Sequence, residues 1–337
     1  MEKYFHISLT GWRKFVADCV KRYNIYAPTQ SNIGLEYDII DDNNIQDIIY
    51  NTPKTASPLK LFYLPVKENV VKETNLKLVN IIIGAPSCDL AALDILDEIY
   101  LNEPFIDPFY KKRRENSIII GTDCYSIEEN CHCNVYDVKA IPEKNHDILL
   151  SFIDERIFLS INSDKGSTLL KNIRDFADVV TMTEDLKNLI ESKRETVASA
   201  LKKQNRKIPA YSETGNIINE SDDAIWKEFS RTCVSCGACS TICPTCTCFL
   251  LVDRSGFEKI RQMDACQFPG FARIAAGEDN LGERHVRFKN RYLCKYVWKP
   301  QKFKSLACTG CGRCIDTCIG GISKNKLFIE LANQVTA

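Results

Sequence analysis

Two runs of cysteine carry the clearest chemistry in this chain: Cys233-Val-Ser-Cys236-Gly-Ala-Cys239-Ser-Thr-Ile-Cys243-Pro244 and Cys308-Thr-Gly-Cys311-Gly-Arg-Cys314-Ile-Asp-Thr-Cys318. Both follow C-x2-C-x2-C-x3-C, a spacing with which thiolates hold [4Fe–4S] clusters. Three closely spaced thiolates wrap three corners of a cubane in a tight loop. The fourth lies on a short helical turn and points at the other cluster. One cluster is therefore expected on Cys233, Cys236, Cys239 and Cys318, and the other on Cys308, Cys311, Cys314 and Cys243. Gly237 and Gly312 are expected to relieve crowding where backbone passes inorganic sulfide. Structural zinc is the alternative, but its sites generally use separated C-x2-C pairs. Ile319 stands where a proline usually follows the fourth cysteine, a change that removes no ligand.

The chain has 17 cysteines, and the other nine are unevenly placed. Cys88, Cys124, Cys131 and Cys133 fall in the first half; Cys246, Cys248, Cys266 and Cys294 fall between the two runs. Each set contains one C-x-C pair and two separated thiols, enough to ligate a cluster. The N-terminal set is read as a third [4Fe–4S] site, with zinc on Cys or His132, or unligated thiols, as alternatives. Cys88 follows a predicted strand and opens a predicted helix, where the dipole favours a thiolate. The set between the runs could hold a fourth cluster. Its cysteines directly follow a ligand, so the alternative is buried thiols that shield the neighbouring clusters. Cys19 lies on an apolar helical face and reads as a small buried core residue.

These residues must be positioned by a chain of 337 residues, a length that suggests about two domains and an ample core. Lys+Arg and Asp+Glu are 44 each, so the charge balance argues against nucleic acid or an anionic membrane as the main partner. No apolar run is long enough to span a membrane, and the first residues do not read as a signal peptide. A cytoplasmic, reducing compartment is expected, where thiols bind metal or do redox chemistry.

Residues 1–160 read as an α/β domain, 161–225 as a polar helical connector, and 226–337 as an α+β, ferredoxin-like [4Fe–4S] dicluster domain with a long insertion between its motifs. Leu9–Tyr23 carries apolar residues at helical spacing. Leu59–Leu64, Leu78–Gly84, Ser117–Gly121 and Arg156–Ser160 read as strands. Ala85-Pro86-Ser87 is expected to break the second, before a helix carrying Leu90, Leu93, Leu96, Ile99 and Tyr100. Thr181 and Glu184 could form a capping box ahead of a helix with Leu186, Leu189, Ile190, Val197 and Leu201. Asn205–Asp223 reads as a loop.

Arg284–Lys304 holds eight Lys/Arg and no Asp/Glu, interleaved with Phe288, Tyr292, Tyr296, Trp298 and Phe303. Such a pattern suits single-stranded nucleic acid, but the rest of the chain balances the charge. Cations near anionic clusters that favour the reduced state, docking of an acidic partner, and a solvated strand-and-loop face are the other readings. Gln267-Phe268-Pro269-Gly270-Phe271 reads as a tight turn with two aromatic anchors. No Gly-rich phosphate loop is present, so neither flavin nor nucleotide is expected on this chain. His6, His146 and His285 are scattered, and no nucleophile set is evident, so no catalytic residue is assigned.

At these residues the chain resembles the iron–sulfur subunits of cytoplasmic sulfhydrogenases (the β subunit) and of anaerobic sulfite reductases. The likeness runs over nearly the whole chain. It includes Ile25-Tyr26-Ala27-Pro28, Cys88-Asp89, the segment 110–120, Cys131-x-Cys133-Asn134, Cys243-Pro-Thr-Cys-x-Cys248, Asp264-Ala-Cys266-Gln-Phe268, Asn290-Arg-Tyr-Leu-Cys294-Lys295 and Gly310-Cys-Gly-Arg-Cys314. Cys294 is similar to the sulfhydrogenase branch, whereas His132 departs from the usual aromatic residue. The resemblance implies an electron-transfer subunit of a hetero-oligomeric oxidoreductase. It would relay single electrons between a flavin subunit that handles NAD(P)H and a catalytic hydrogenase or sulfite reductase subunit, with no substrate chemistry of its own. The alternatives are the relay of another anaerobic reductase, or a non-redox zinc-binding scaffold.

Overall fold

The computed structural model of the chain describes residues 4–32, 34–72 and 78–335. Its N-terminal region is α/β with a mixed sheet. The strands in chain order are β1 (Tyr4–Ser8), β2 (Asn24–Ser31), β3 (Gly34–Ile40), β4 (Lys67–Asn69), β5 (Asn80–Pro86), β6 (Ser117–Thr122), β7 (Ile148–Ile153), β8 (Arg156–Ile161) and β9 (Val180–Thr181). All but β4 lie in one sheet, in the order β3-β2-β5-β6-β7-β8-β1-β9. Neighbours among β2, β5, β6 and β7 run parallel, and the flanking strands pair antiparallel. Strands β5 and β6 are continuous apolar runs because both faces of the sheet are covered. Ile81, Ile83, Ile118 and Ile120 face a core with Trp12 and Phe15. The alternate residues Ile82 and Ile119 face a second core with Leu90, Leu93 and Leu96. Full burial of each such side chain contributes about 1.5–3 kcal/mol.

Helix α1 (Leu9–Val20) begins at Ser8, whose Oγ accepts from Gly11 N–H at 3.1 Å. Its buried face includes Cys19, a core thiol that burial pushes up to about 12. Strand β5 runs past the expected break to Pro86, through a bulge at Gly84 (φ 81°). Helix α2 (Ser87–Tyr100) follows directly, and α3 (Pro108–Glu115), capped by Asp107, precedes β6. Leu59–Leu64 is not a strand: Leu59–Phe62 forms a 3-10 turn after Pro58. Its buried residues recur at a spacing of four, Leu59 with Tyr63 and Lys60 with Leu64, rather than in alternation.

The stretch that follows is helical: α4 (Asp164–Leu169), α5 (Glu184–Asn205), α6 (Tyr211–Glu220) and α7 (Asp223–Phe229). The cap of α5 is Thr183, not Thr181, which lies in β9 opposite Phe5. Helix α6 replaces the expected loop. Thr214, Ile217 and Ile218 are buried on one side of it, against the apolar cluster of Leu327, Phe328 and Leu331.

The C-terminal part of the chain, from the first cysteine run onward, is built of short helices and strands. Each cysteine run folds as a loop ending in one helical turn, α8 (Ala238–Thr241) in the first. The insertion is a hairpin of β10 (Phe249–Arg254) and β11 (Glu258–Met263), with β4 as the third strand. The expected turn at Gln267–Phe271 is present, with Phe271 N–H donating to Phe268 O at 3.2 Å. The basic stretch is helical, not strand and loop: α9 (Arg284–Leu293), a π turn at Cys294–Trp298, and α10 (Lys299–Phe303). The second run carries α11 (Arg313–Asp316), and α12 (Lys324–Val335) closes the domain.

Candidate metal centres

Both cysteine runs turn on a left-handed glycine just before their helical turn: Gly237 at φ 72° and Gly312 at φ 81°. The protein packing gives each a steric reason. A Cβ on Gly237 would lie 2.6 Å from the Phe268 ring, and one on Gly312 would lie 2.4 Å from Asn130 O. The glycines admit neighbouring loops that press on the cysteine turns. With these turns made, Cys233, Cys236, Cys239 and Cys318 line one cavity. Cys308, Cys311, Cys314 and Cys243 line the next, and Cys314 borders both.

The second cavity is strongly cationic. Lys295 Nζ is 3.0 Å from Cys243 Sγ and donates to Thr245 Oγ1 (2.6 Å) and Ala307 O (2.7 Å). Lys324 Nζ is 3.4 Å from Cys308 Sγ and donates to the hydroxyls of Tyr136 (2.7 Å) and Tyr296 (3.0 Å). The buried Arg291 donates to Cys239 O at 3.0 Å and lies between the two cavities. A hydrogen bond from the Cys246 thiol, working against burial and helped by Lys295, holds Cys243 well below the usual thiol range. Burial alone would raise Cys308, but the Lys324 ammonium brings it below that range too.

Cys88, Cys124, Cys131 and Cys133 line a third cavity, walled by Ile127, Ala140, Val197 and Leu201 and closed by Gly310 and Cys311 of the second run. The ends of parallel strands assemble it: Cys88 follows β5 and Cys124 follows β6, so both fall at the same end of the sheet. Cys88 does open α2, as expected, but burial works against the thiolate there. Burial, with Asp89 adjacent, raises that thiol well above its ordinary value. Burial also raises Cys124 and Cys131 and pushes Cys133 up to about 12. His132 does not join this set. Its Nδ1 is 2.7 Å from Asn130 O, and its ring lines the second cavity with a buried, unpartnered Nε2.

The third cavity is bolted to the second run. Arg313 grips Asp89 with both terminal nitrogens (2.5 and 2.8 Å) and donates to Thr55 O at 2.8 Å. Asn130 donates to Asp316 at 2.7 Å, and His132 N–H donates to Gly310 O at 2.9 Å. Lys54 bridges Glu128 and Asp316.

The set between the runs is split. Cys248 and Cys266 hydrogen-bond to each other with Cys294 nearby, whereas Cys246 bonds to Cys243. Its backbone oxygen, with that of Thr241, holds the buried Lys60 ammonium at 3.1 and 3.0 Å. Among the described residues, no three His, Cys, Asp or Glu side chains converge on a point as the ligands of a single ion do. The thiols instead surround cavities, an arrangement that fits polynuclear clusters.

The sequence offered cations near the clusters for the Arg284–Lys304 stretch without saying which residues they were, and it did not single out Lys54, Lys60 or Lys324. A signal for one group was present: Arg287, Arg291, Lys295 and Lys299 recur every four residues, as do Phe288, Tyr292 and Tyr296. That spacing puts cations and aromatics on two adjacent stripes of one helix. Lys54, Lys60 and Lys324 had no such signal.

Two comparisons bear on these centres. Residues 232–322 match the family model described as a 4Fe-4S dicluster domain. The chain is 29% identical over 319 residues to sulfhydrogenase 2 subunit beta of Pyrococcus furiosus, covering 91% of this chain and 92% of that protein.

Proposed function

We propose that this chain, a homologue of a sulfhydrogenase beta subunit that carries a 4Fe-4S dicluster domain, is the electron-transfer subunit of a multi-subunit oxidoreductase. It would relay single electrons between a flavin subunit that handles NAD(P)H and a catalytic hydrogenase subunit, in the cytoplasm. Clusters bound by its cysteines would supply reversible one-electron chemistry. Two belong to the dicluster domain, on Cys233, Cys236, Cys239 and Cys318 and on Cys308, Cys311, Cys314 and Cys243. A third would sit on Cys88, Cys124, Cys131 and Cys133. A fourth would need Cys246 to turn from Cys243 toward Cys248, Cys266 and Cys294.

The observation that carries this reading is the contiguity of the three cavities: Cys314 borders the first and second, and Cys311 the second and third. The protein's part is to hold the thiols, exclude water and supply counter-charge. A relay fits that layout better than a zinc scaffold, whose sites need no such alignment. Among the described residues no helix is long and apolar enough to cross a membrane. A sulfite reductase partner is the second reading, resting on the shared cysteine pattern.

Low-temperature electron paramagnetic resonance of the reduced chain tests the proposal. It should give signals of reduced [4Fe–4S] centres, while the isolated chain turns over neither hydrogen nor sulfite. Zinc without iron, or robust turnover by the chain alone, would overturn it.

A further inference from the structure

The second cavity is lined by two ammonium groups that have no carboxylate partner. Lys295 is 3% exposed and Lys324 is 2% exposed. Their bonded partners are hydroxyls, one backbone carbonyl and the sulfurs of Cys243 and Cys308, with no carboxylate among them. A buried, unpaired cation is costly unless an anion offsets it. The anion that fits is a cluster with four thiolate ligands.

The other two centres differ. At the third cavity every nearby cation has its own carboxylate: Lys54 has Glu128 and Asp316, Arg313 has Asp89, and Arg194 has Asp123. At the first cavity Cys236 is exposed, so water screens the charge there. Lys324 and Arg291 line the first cavity too, but the ammoniums that reach ligand sulfurs reach Cys243 and Cys308 of the second.

We infer that Lys295 and Lys324 make the cluster on Cys243, Cys308, Cys311 and Cys314 the most readily reduced in the chain, so that the first electron to enter comes to rest there. This rests on the electron-relay reading above. The step adds one electron, from a reduced flavin partner or from dithionite in the test, to an oxidised [4Fe–4S] centre. No bond is made or broken and no proton is taken up; the added negative charge stays on the centre, where the two ammoniums, with Arg291 beside them, lower its cost. Donated N–H···S bonds and nearby cations both favour the reduced form. The two lysines are positioning residues that act through the ligand sulfurs. Placed between its two neighbours, this centre would be a resting point for electrons rather than an end of the path.

The test is a redox titration of the iron-loaded chain, followed by electron paramagnetic resonance, on the wild type and on Lys295→Gln, Lys324→Gln and Lys54→Gln. Wild type should show one centre reduced at clearly higher potential than the rest. Lys295→Gln and Lys324→Gln should each move that centre to lower potential; Lys295→Gln should leave the others in place, and Lys324→Gln should move the centre of the first cavity, which it also lines, by less. Lys54→Gln should leave it unmoved. A highest-potential centre unaffected by either lysine change, or moved equally by Lys54→Gln, would overturn the inference. So would loss of iron from both variants, which would make the lysines purely structural. A wild-type chain that takes up no iron would instead overturn the relay reading itself.

Discussion

Asp89 is the residue on which the two halves of the molecule meet. Its carboxylate takes two bonds from Arg313 and one from Leu59 N–H at 3.1 Å, all fully buried. Removing one partner of such a pair strands the other charge, which costs about 3–5 kcal/mol. Asp89→Ala should therefore lower stability by that order in chemical denaturation, and iron content should fall with it, because Asp89 adjoins Cys88. Gly310 is equally constrained. At φ 66°, a Cβ there would lie 2.4 Å from His132 O. Gly310→Ala should separate the third cavity from the second run, read as loss of about four iron per chain, one cluster's worth. Neither contact could be read from sequence, since the partners lie more than 170 positions apart. The cysteine sets were legible because their spacing is local and their chemistry is restrictive.

At the scale of elements, legibility followed the length and purity of the pattern. The apolar runs of β5 and β6 and the amphipathic faces of α1 and α2 fall where their periodicity put them, within a few residues. The six residues Leu59–Leu64 were too few to distinguish alternation from a turn, and Pro58 with Asp89 decided for the turn. Helix α6 was hidden because its own sequence is largely polar, and its apolar contacts come from elements far along the chain, α9, the π turn and α12. The π turn and its flanking helices left three readings open, cations beside clusters, a docking surface and a solvated face, because their charges were counted without asking which side they occupy.

The segment before β7 makes a prediction of its own. His146 is buried, its Nδ1 3.0 Å from Lys144 O and its Nε2 2.8 Å from Asn162 Nδ2. The geometry suits a neutral ring that accepts from Asn162, and burial lowers its affinity for a proton. The unfolded chain then binds the proton more tightly, so this group's contribution to stability is complete above about pH 6.5 and is lost as pH falls toward the folded value. Thermal melting should drop between pH 7.5 and 5.5, and it should drop less in His146→Gln. An equal drop in the variant would remove His146 as a cause.

For the whole molecule, the sheet and the dicluster domain form a single scaffold around a row of thiol-lined cavities. The sheet delivers Cys88 and Cys124 from the ends of adjacent parallel strands. The domain at 232–322 lines two cavities, each with three cysteines of one run and the last cysteine of the other. Helix α5 covers the third cavity with Val197 and Leu201, so the stretch that read as a connector also walls a centre. The continuity of the row requires the N-terminal site to be loaded, and the relay account stands or falls there.

Iron and acid-labile sulfide per chain, measured with zinc on the same anaerobically purified protein, test this most directly. Three loaded centres predict about 12 iron with matching sulfide, and about 16 if the insertion set is also loaded, at ~4 iron per cluster. Cys124→Ser should bring the count down by about four. A wild-type value of about 8 iron or fewer, or zinc in place of iron at the N-terminal site, would contradict the account.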